Sequence, residues 1–191
     1  MNDADSTIKG LSVLRKFVGL AESQKLLAQI DRAEWSTELK RRVQHYGNRY
    51  DYSSRRVAPA AAVPPLPPWA ANLIIDMLSS NATTRQFDQV IVNEYWPGQG
   101  IAPHIDAISS FTDEIASLSL GSTCVMTFSR PKTGGLVALL LEPGDLIVLR
   151  GEARYEWRHE IKPRKTDTWE GRKLPRGRRV SLTFRQLLQP I

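Results

Sequence analysis

The sequence predicts a mainly β protein with helices near its N-terminus, a sandwich or barrel with the helices packed on one face. Two observations lead there. From Gln89 onward the chain is a series of short β-rich runs, several of them separated by Gly or Pro turns such as "WPGQG", "RPKTGG" and "EPGD". Before that point it holds two stretches with helical spacing, and many short strands after two helices is the pattern of a β structure covered by helices on one side.

Taken in order, "LAESQKLLAQIDRAEW" places Leu20, Leu26, Leu27, Ile30 and Ala33 at helical spacing, which predicts a helix packed on something larger. "KRRVQHYGNRYDYSSRR" alternates polar and aromatic residues around a Gly-Asn turn and reads as an exposed ribbon or hairpin. "PAAAVPPLPP", Pro59 to Pro68, cannot be regular structure and is expected to be an extended connector. Pro68 then sits where a proline opens the helix "WAANLIIDMLSS", because its missing N–H is not needed in a first turn. The predicted strands are "QVIVNEYW", "IASLSL", "CVMTFS", "LVALLLE", "DLIVLRG", "YEWRHEI" and "RVSLTFRQL". No internal repeat is visible.

At 191 residues, with 41% hydrophobic and 24% charged residues, the chain is read as a single domain, 1–191, able to bury a core without staples. The longest aliphatic run, Leu136 to Leu141, is far too short to span a bilayer, so no membrane partner is expected. The first ten residues carry no basic region followed by an apolar stretch, hence no secretory signal. A single cysteine, Cys124 in "CVMTF", excludes an internal disulfide, reads as a small core residue and fits a reducing cytoplasm. Net charge is +6, and residues 150–191 hold twelve Lys and Arg against five Asp and Glu, so the rest is close to neutral. A basic third on a neutral body suggests a polyanion, nucleic acid first, against the plainer reading of a solvated surface.

Residues two apart on a strand share a face, so an extended "PHID" would let His104 and Asp106 grip one ion. A useful site needs a third ligand, and His159 in "YEWRHEI" can supply it. Two imidazoles and one carboxylate on an open ion describe the facial triad of non-haem Fe(II) oxygenases, and zinc accepts the same ligands. In "RRVSLTFRQ", Arg179 and Arg185 are six apart and share one face, while Val180, Leu182 and Phe184 take the other. If both faces are enclosed, the two guanidiniums are buried and each needs an anion. Asn93 and Tyr95 share a face of "VIVNEYW" in the same way.

Together N-x-Y, P-G, H-x-D, a distal His and a closing R-x5-R ending "SLTFR" resemble the AlkB family of Fe(II)/2-oxoglutarate dioxygenases over roughly Val43 to Leu187. "GIAPHIDAISSFTDEIASLSLGS" and "GEARYEWRHEIKPRKTD" look most like the branch that modifies tRNA, and bacterial repair-type members share much of this. The resemblance implies a double-stranded β-helix, or jelly roll, over about 87–189, with a nucleotide-recognition lid over about 40–68. It implies Fe(II) on His104, Asp106 and His159, with 2-oxoglutarate and O2 as cosubstrates. Arg185 would bind the distal carboxylate of 2-oxoglutarate, Arg179 would bridge toward Asp106 and the metal-side carboxylate, and Asn93 and Tyr95 would add hydrogen bonds. Tyr46, Tyr50 and Tyr52 resemble lid residues that stack on a base, Tyr52 foremost, and Lys162, Arg164 and Lys165 would clamp phosphates. His45 is left as a polar lid residue. Repair members often carry an acidic residue where Ile108 stands, and an asparagine where Ser181 stands.

The expected function is therefore oxidative dealkylation of N-alkylated bases in single-stranded DNA or RNA, releasing succinate, CO2 and an aldehyde, by a monomeric enzyme. The alternatives are hydroxylation of a modified uridine in tRNA, a protein or small-molecule hydroxylase, and a catalytically silent jelly roll that binds nucleic acid. The tRNA-modifying branch usually adds RNA-binding and methyltransferase domains, for which this length leaves no room.

Overall fold

A computed structural model describes residues 7–37, 40–47, 50–51, 56–57 and 63–188. In chain order the elements are β1 (Leu11–Leu14), α1 (Leu20–Ile30), β2 (Val43–Tyr46), β3 (Tyr50–Asp51), β4 (Arg56–Val57), α2 (Pro68–Ser79), β5 (Gln89–Tyr95), β6 (Ile101–His104), β7 (Phe111–Gly121) and β8 (Cys124–Arg130). They continue with β9 (Gly135–Leu141), β10 (Leu146–Leu149), α3 (Gly151–Tyr155), β11 (Arg158–Ile161), β12 (Thr166–Trp169), β13 (Arg172–Pro175) and β14 (Arg179–Leu187).

A six-stranded sheet in the order β1-β10-β7-β14-β5-β2 faces a four-stranded sheet in the order β6-β11-β8-β9, and all the pairings are antiparallel. This is the jelly roll. The larger sheet is covered on both faces. On its outer face Val90, Val92, Leu118, Leu120, Val180, Leu182 and Phe184 meet Leu26 and Ile30 of α1 and Ala70, Leu73, Ile74 and Met77 of α2. On its inner face Tyr95, Ile147 and Leu149 meet Met126, Phe128, Trp157 and Ile161, which belong to the smaller sheet and its approach. Each large side chain in these layers contributes about 1.5–3 kcal/mol by leaving water, so the helices stabilise a sheet that could not stand alone.

Double burial answers the question left open for β14. Arg179 pairs with Tyr95, Ser181 with Asn93, Thr183 with Ile91 and Arg185 with Gln89, so the polar alternate residues form one inward-facing block. Charge also pins the outer face. Glu94 is fully buried and takes Arg42 at 2.6 Å and Arg178 at 2.6 Å, and Arg178 also bonds Asp31 at the end of α1.

The predicted helices and the seven strand regions all form, with α2 opening on Pro68. Tyr155 and Glu156 of "YEWRHEI" instead end α3, and β11 starts at Arg158. Four elements were not foreseen, β1, α3, β12 and β13, and β6 was considered only conditionally, as an extended "PHID". The exposed ribbon expected from Lys40 onward needs correction. Val43–Tyr46 is an edge strand of the larger sheet, with Val43, Gln44 and Tyr46 buried, because Gln44 and Tyr46 face the helices, Gln44 donating to the carbonyl of Ile30 and Tyr46 meeting Trp69 edge-on. Nor does Val43–Tyr46 fold back across the expected Gly-Asn turn: it pairs with β5, and Tyr50–Asp51 pairs instead with Arg56–Val57 as β3 and β4. Among the described residues no helix is long and apolar enough to cross a membrane.

Candidate metal and cosubstrate site

His104 ends β6 and His159 lies directly opposite it on β11, which brings the two rings to 4.3 Å between centroids. Gly100 makes this approach possible. A Cβ there would come within 2.1 Å of the carbonyl of Ile161, so any other residue would push β6 off β11. Asp106 follows β6 in the connector Ile105–Ser110, which leads into β7. One ligand atom from each of His104, Asp106 and His159 lies within 4.8 Å of the others. That spacing suits a single ion and leaves the remaining positions open.

The donors are also in the right state. His104 Nδ1 lies 2.8 Å from the carbonyl of Ala102; as the N–H it donates to that oxygen, leaving the Nε2 lone pair for a metal. Burial, and then His104, lower the pKa of His159 to about 4, against a smaller upward pull from Asp106, so the ring is neutral at physiological pH. Burial alone would raise Asp106, but Arg185 and then both histidines and Arg154 outweigh it and hold the carboxyl at about 2.

Around this trio lies a cavity of about 600 Å³. Its walls are largely apolar, with Ile101, Met126, Ile147, Leu149 and Ile161 among them, and Asn93, Tyr95, Arg179, Ser181, Thr183 and Arg185 face it. Arg185 Nη1 donates to Asp106 Oδ1 at 3.0 Å and Nε to Gln89 Oε1 at 2.7 Å, with the guanidinium 4.0 Å above the Phe111 ring. Arg185 Nη2 is buried without a partner among the described residues, and Arg179 is left with more idle donors still. Its Nη2 donates to Ser119 Oγ at 2.8 Å, while Nε and Nη1 are buried and have no partner among the described residues. A buried guanidinium with two idle donors in a cavity has the chemistry to accept an anion.

This corrects the expectation that Arg179 bridges to Asp106: Arg185 makes that bond. Six-residue spacing puts both arginines on one face but cannot say which end meets the metal. Register does. Arg185 sits opposite Ile115, and Leu187 opposite Phe111, where the Asp106 connector enters β7, whereas Arg179 lies at the far end opposite Gly121.

On the substrate side, Tyr46 is another correction. It faces the helices, with its ring edge-on to Trp69 and its hydroxyl donating to Gln44 Oε1, because position 46 pairs with the outward-facing Val90. Tyr52 lies outside the described residues, and of Tyr50 only its place in β3 is described. Lys162, Arg164 and Lys165 follow β11 just outside the cavity wall. Lys162 lies 3.9 Å from Glu160 and Arg164 lies 3.7 Å from Asp167. His45 is half-buried on β2.

Two residues escaped the sequence reading. Arg41 lines the cavity and donates from Nε to Asn93 Oδ1 at 2.8 Å, but within "KRR" it looks like one more surface charge. Arg154 is 1% exposed and grips the Asp106 connector. Its only sequence signal is its place between Ala153 and Trp157, both buried.

The model of the 2OG-Fe(II) oxygenase superfamily matches residues 10–185. An uncharacterized protein of Acanthamoeba polyphaga mimivirus is 34% identical over 95% of this chain and 87% of its own length. The Arabidopsis thaliana protein named alkylated DNA repair protein ALKBH8 homolog is 36% identical over 97% of this chain and 60% of its own. The Mus musculus protein named tRNA (carboxymethyluridine(34)-5-O)-methyltransferase ALKBH8 is 36% identical over 93% of this chain, which spans only 30% of that relative. Among solved structures, OsALKBH1 superposes with a TM-score of 0.73 at 19% identity, over 93% of this chain and 96% of that one. With three side chains that could hold a metal gathered inside a jelly roll, and a family match over nearly its whole length, the chain belongs to the 2OG-Fe(II) oxygenase superfamily as an AlkB-like dioxygenase that uses Fe(II), 2-oxoglutarate and O2.

Proposed function

We propose that the protein oxidises a C–H bond on a modified base displayed by a nucleic acid strand, and that the strand is tRNA. His104, Asp106 and His159 hold the Fe(II). Arg179 takes the distal carboxylate of 2-oxoglutarate, with Asn93 and Tyr95 beside it. The observation that carries this reading is the convergence of three ligand atoms within 4.8 Å in a cavity where Arg179 holds two donors without a partner. When bound, Fe(II), 2-oxoglutarate and O2 supply the oxidising chemistry, with succinate and CO2 as coproducts.

The chain's own residues do the rest. Arg185 holds Asp106 Oδ1 and so leaves Oδ2 toward the imidazoles. The Ala102 carbonyl orients the His104 ring. Ile101, Met126, Ile147, Leu149 and Ile161 keep the cavity dry, which strengthens every charge interaction inside it. Tyr50 and Tyr52 are proposed to stack on the base. Lys162, Arg164 and Lys165 are proposed to contact backbone phosphates, the sequence-independent share of binding.

The choice of tRNA is supported by relatives named for tRNA methyltransferase ALKBH8, in Mus musculus and Xenopus tropicalis among others. It is also supported by Ile108, which is 52% exposed and offers no carboxylate where repair members read a base edge. The second reading, N-dealkylation, is favoured by a Caenorhabditis elegans relative named DNA N6-methyl adenine demethylase, 25% identical over 96% of this chain.

The test is incubation with Fe(II), 2-oxoglutarate and either bulk tRNA or methylated oligonucleotides, followed by nucleoside mass spectrometry and succinate assay. Hydroxylated uridine from tRNA is expected, and none from His104→Ala. Loss of methyl groups from the oligonucleotides alone would favour the second reading, and no change in either would overturn both.

A further inference from the structure

Arg154 is a buried cation with no carboxylate within ion-pair distance among the described residues, where its hydrogen bonds go to main-chain oxygens. Nη1 donates to the carbonyl of Asp106 at 2.8 Å. Nη2 reaches the carbonyl of Ala107 at 3.3 Å and that of Phe111 at 3.5 Å, and Nε donates to Thr112 at 3.2 Å. These four oxygens lie on the two limbs of one tight turn, in which the N–H groups of Ser110 and Phe111 both donate to Ala107. A single guanidinium therefore staples the entry of the Asp106 connector to its exit. Only a planar fork with five donors can reach both limbs at once; an ammonium is one point on a flexible stem.

The clamp is indexed to the other half of the metal site. Arg154 lies on α3, five residues before His159, and α3 is tied to β8 by Arg130, which bonds Glu152 at 3.1 Å and also Glu156. Asp106 is thus held twice, by Arg185 at its carboxylate and by Arg154 at its carbonyl. The Tyr155 ring, 5.0 Å from the Arg154 guanidinium, stacks on the clamp.

We propose that Arg154 is a positioning residue for the metal centre, setting where the Asp106 carboxylate stands relative to His159 by holding the connector's backbone. The inference rests on the metal site proposed above. It goes beyond that site because Arg154 would be neither a ligand nor in contact with either cosubstrate.

The experiment titrates metal-free full-length protein with Mn(II) alone and reads the free ion by electron paramagnetic resonance, with melting temperature measured in parallel. Arg154→Lys keeps the charge and loses the fork. It is expected to weaken Mn(II) binding by about 10- to 100-fold, the usual effect of losing an outer-sphere partner. Leu73→Ala, in the outer core under α2, lowers the melting temperature without approaching the site. It should leave Mn(II) affinity within about twofold, as distant sites do. Should Arg154→Lys not fold, Tyr155→Ala removes only the stacked ring, and a loss of about two- to fivefold is expected.

If Arg154→Lys, or Tyr155→Ala in its place, binds Mn(II) as tightly as the wild type, the residue is a structural staple and the inference falls alone. A wild type that binds no Mn(II) would sink the metal-site reading and the inference with it.

Discussion

Replacing Arg179 with Met separates cosubstrate binding from folding. Met has similar length and no charge. Among the described residues Arg179 donates to Ser119, lies beside the Cys124 thiol, and leaves Nε and Nη1 buried without partners. Removing it relieves that cost, so the unliganded variant should melt no lower than the wild type. With a carboxylate present the balance reverses. Two hydrogen bonds to a charged group are each worth about 1.5–3 kcal/mol, so losing both costs at least about 3 kcal/mol, or more than about 100-fold in affinity. A ligand at about 100 times its dissociation constant stabilises by about 2.7 kcal/mol, which for a chain of this size raises the melting temperature by about 5–10 °C. In the variant the same concentration gives about 0.4 kcal/mol, or about 1 °C. Differential scanning fluorimetry with Mn(II) in place of Fe(II), with and without 2-oxoglutarate, reads both quantities. An equal shift in the two proteins would refute the assignment of Arg179 as the carboxylate site, and a steep loss of stability without ligand would show that its bond to Ser119 is structural.

Glu94 links stability to acid. Burial alone would raise its pKa, but Arg42 and Arg178 hold it below the ordinary 4.5, so its contribution is present above that value and lost as pH falls through the lower one. Urea unfolding should show Glu94→Gln less stable than the wild type at pH 7, with the gap narrowing below pH 4.5; a gap that ignores pH would contradict the ion-pair account. Replacing Lys162, Arg164 and Lys165 together by Ala should lower the salt dependence of single-stranded RNA binding by about 2 in the logarithmic slope, since each phosphate contact contributes about 0.7. An unchanged slope would mean that these cations face solvent.

The convergence of His104, Asp106 and His159 was legible because such a site needs scarce residues: the chain has only three histidines, and each of the two that meet Asp106 lies on a run with strand character. Most of the strands were readable too, since β-rich runs between Gly and Pro turns leave few other folds. What escaped were short elements with little pattern. α3 has five residues and β1 four, and the β12–β13 strands are four-residue segments of mostly exposed residues, none long enough for periodicity to rise above noise. Tyr46 misled because an aromatic beside a turn looks exposed until something covers it, and here Trp69 of α2 does.

Spacing along β14 was enough to put two arginines on one face, because side chains alternate whatever the rest of the chain does. Their division of labour was not in that spacing. It depends on which strands lie alongside, and the pairing with β7 carries Asp106 to Arg185 and leaves two donors of Arg179 without partners among the described residues. Arg154 makes the same point more sharply. A guanidinium whose hydrogen bonds among the described residues go to backbone carbonyls has no complementary side chain to look for, so its task exists only once the connector has folded around it. Residue identity determined the chemistry available to this protein, and strand register and burial decided where each group performs it.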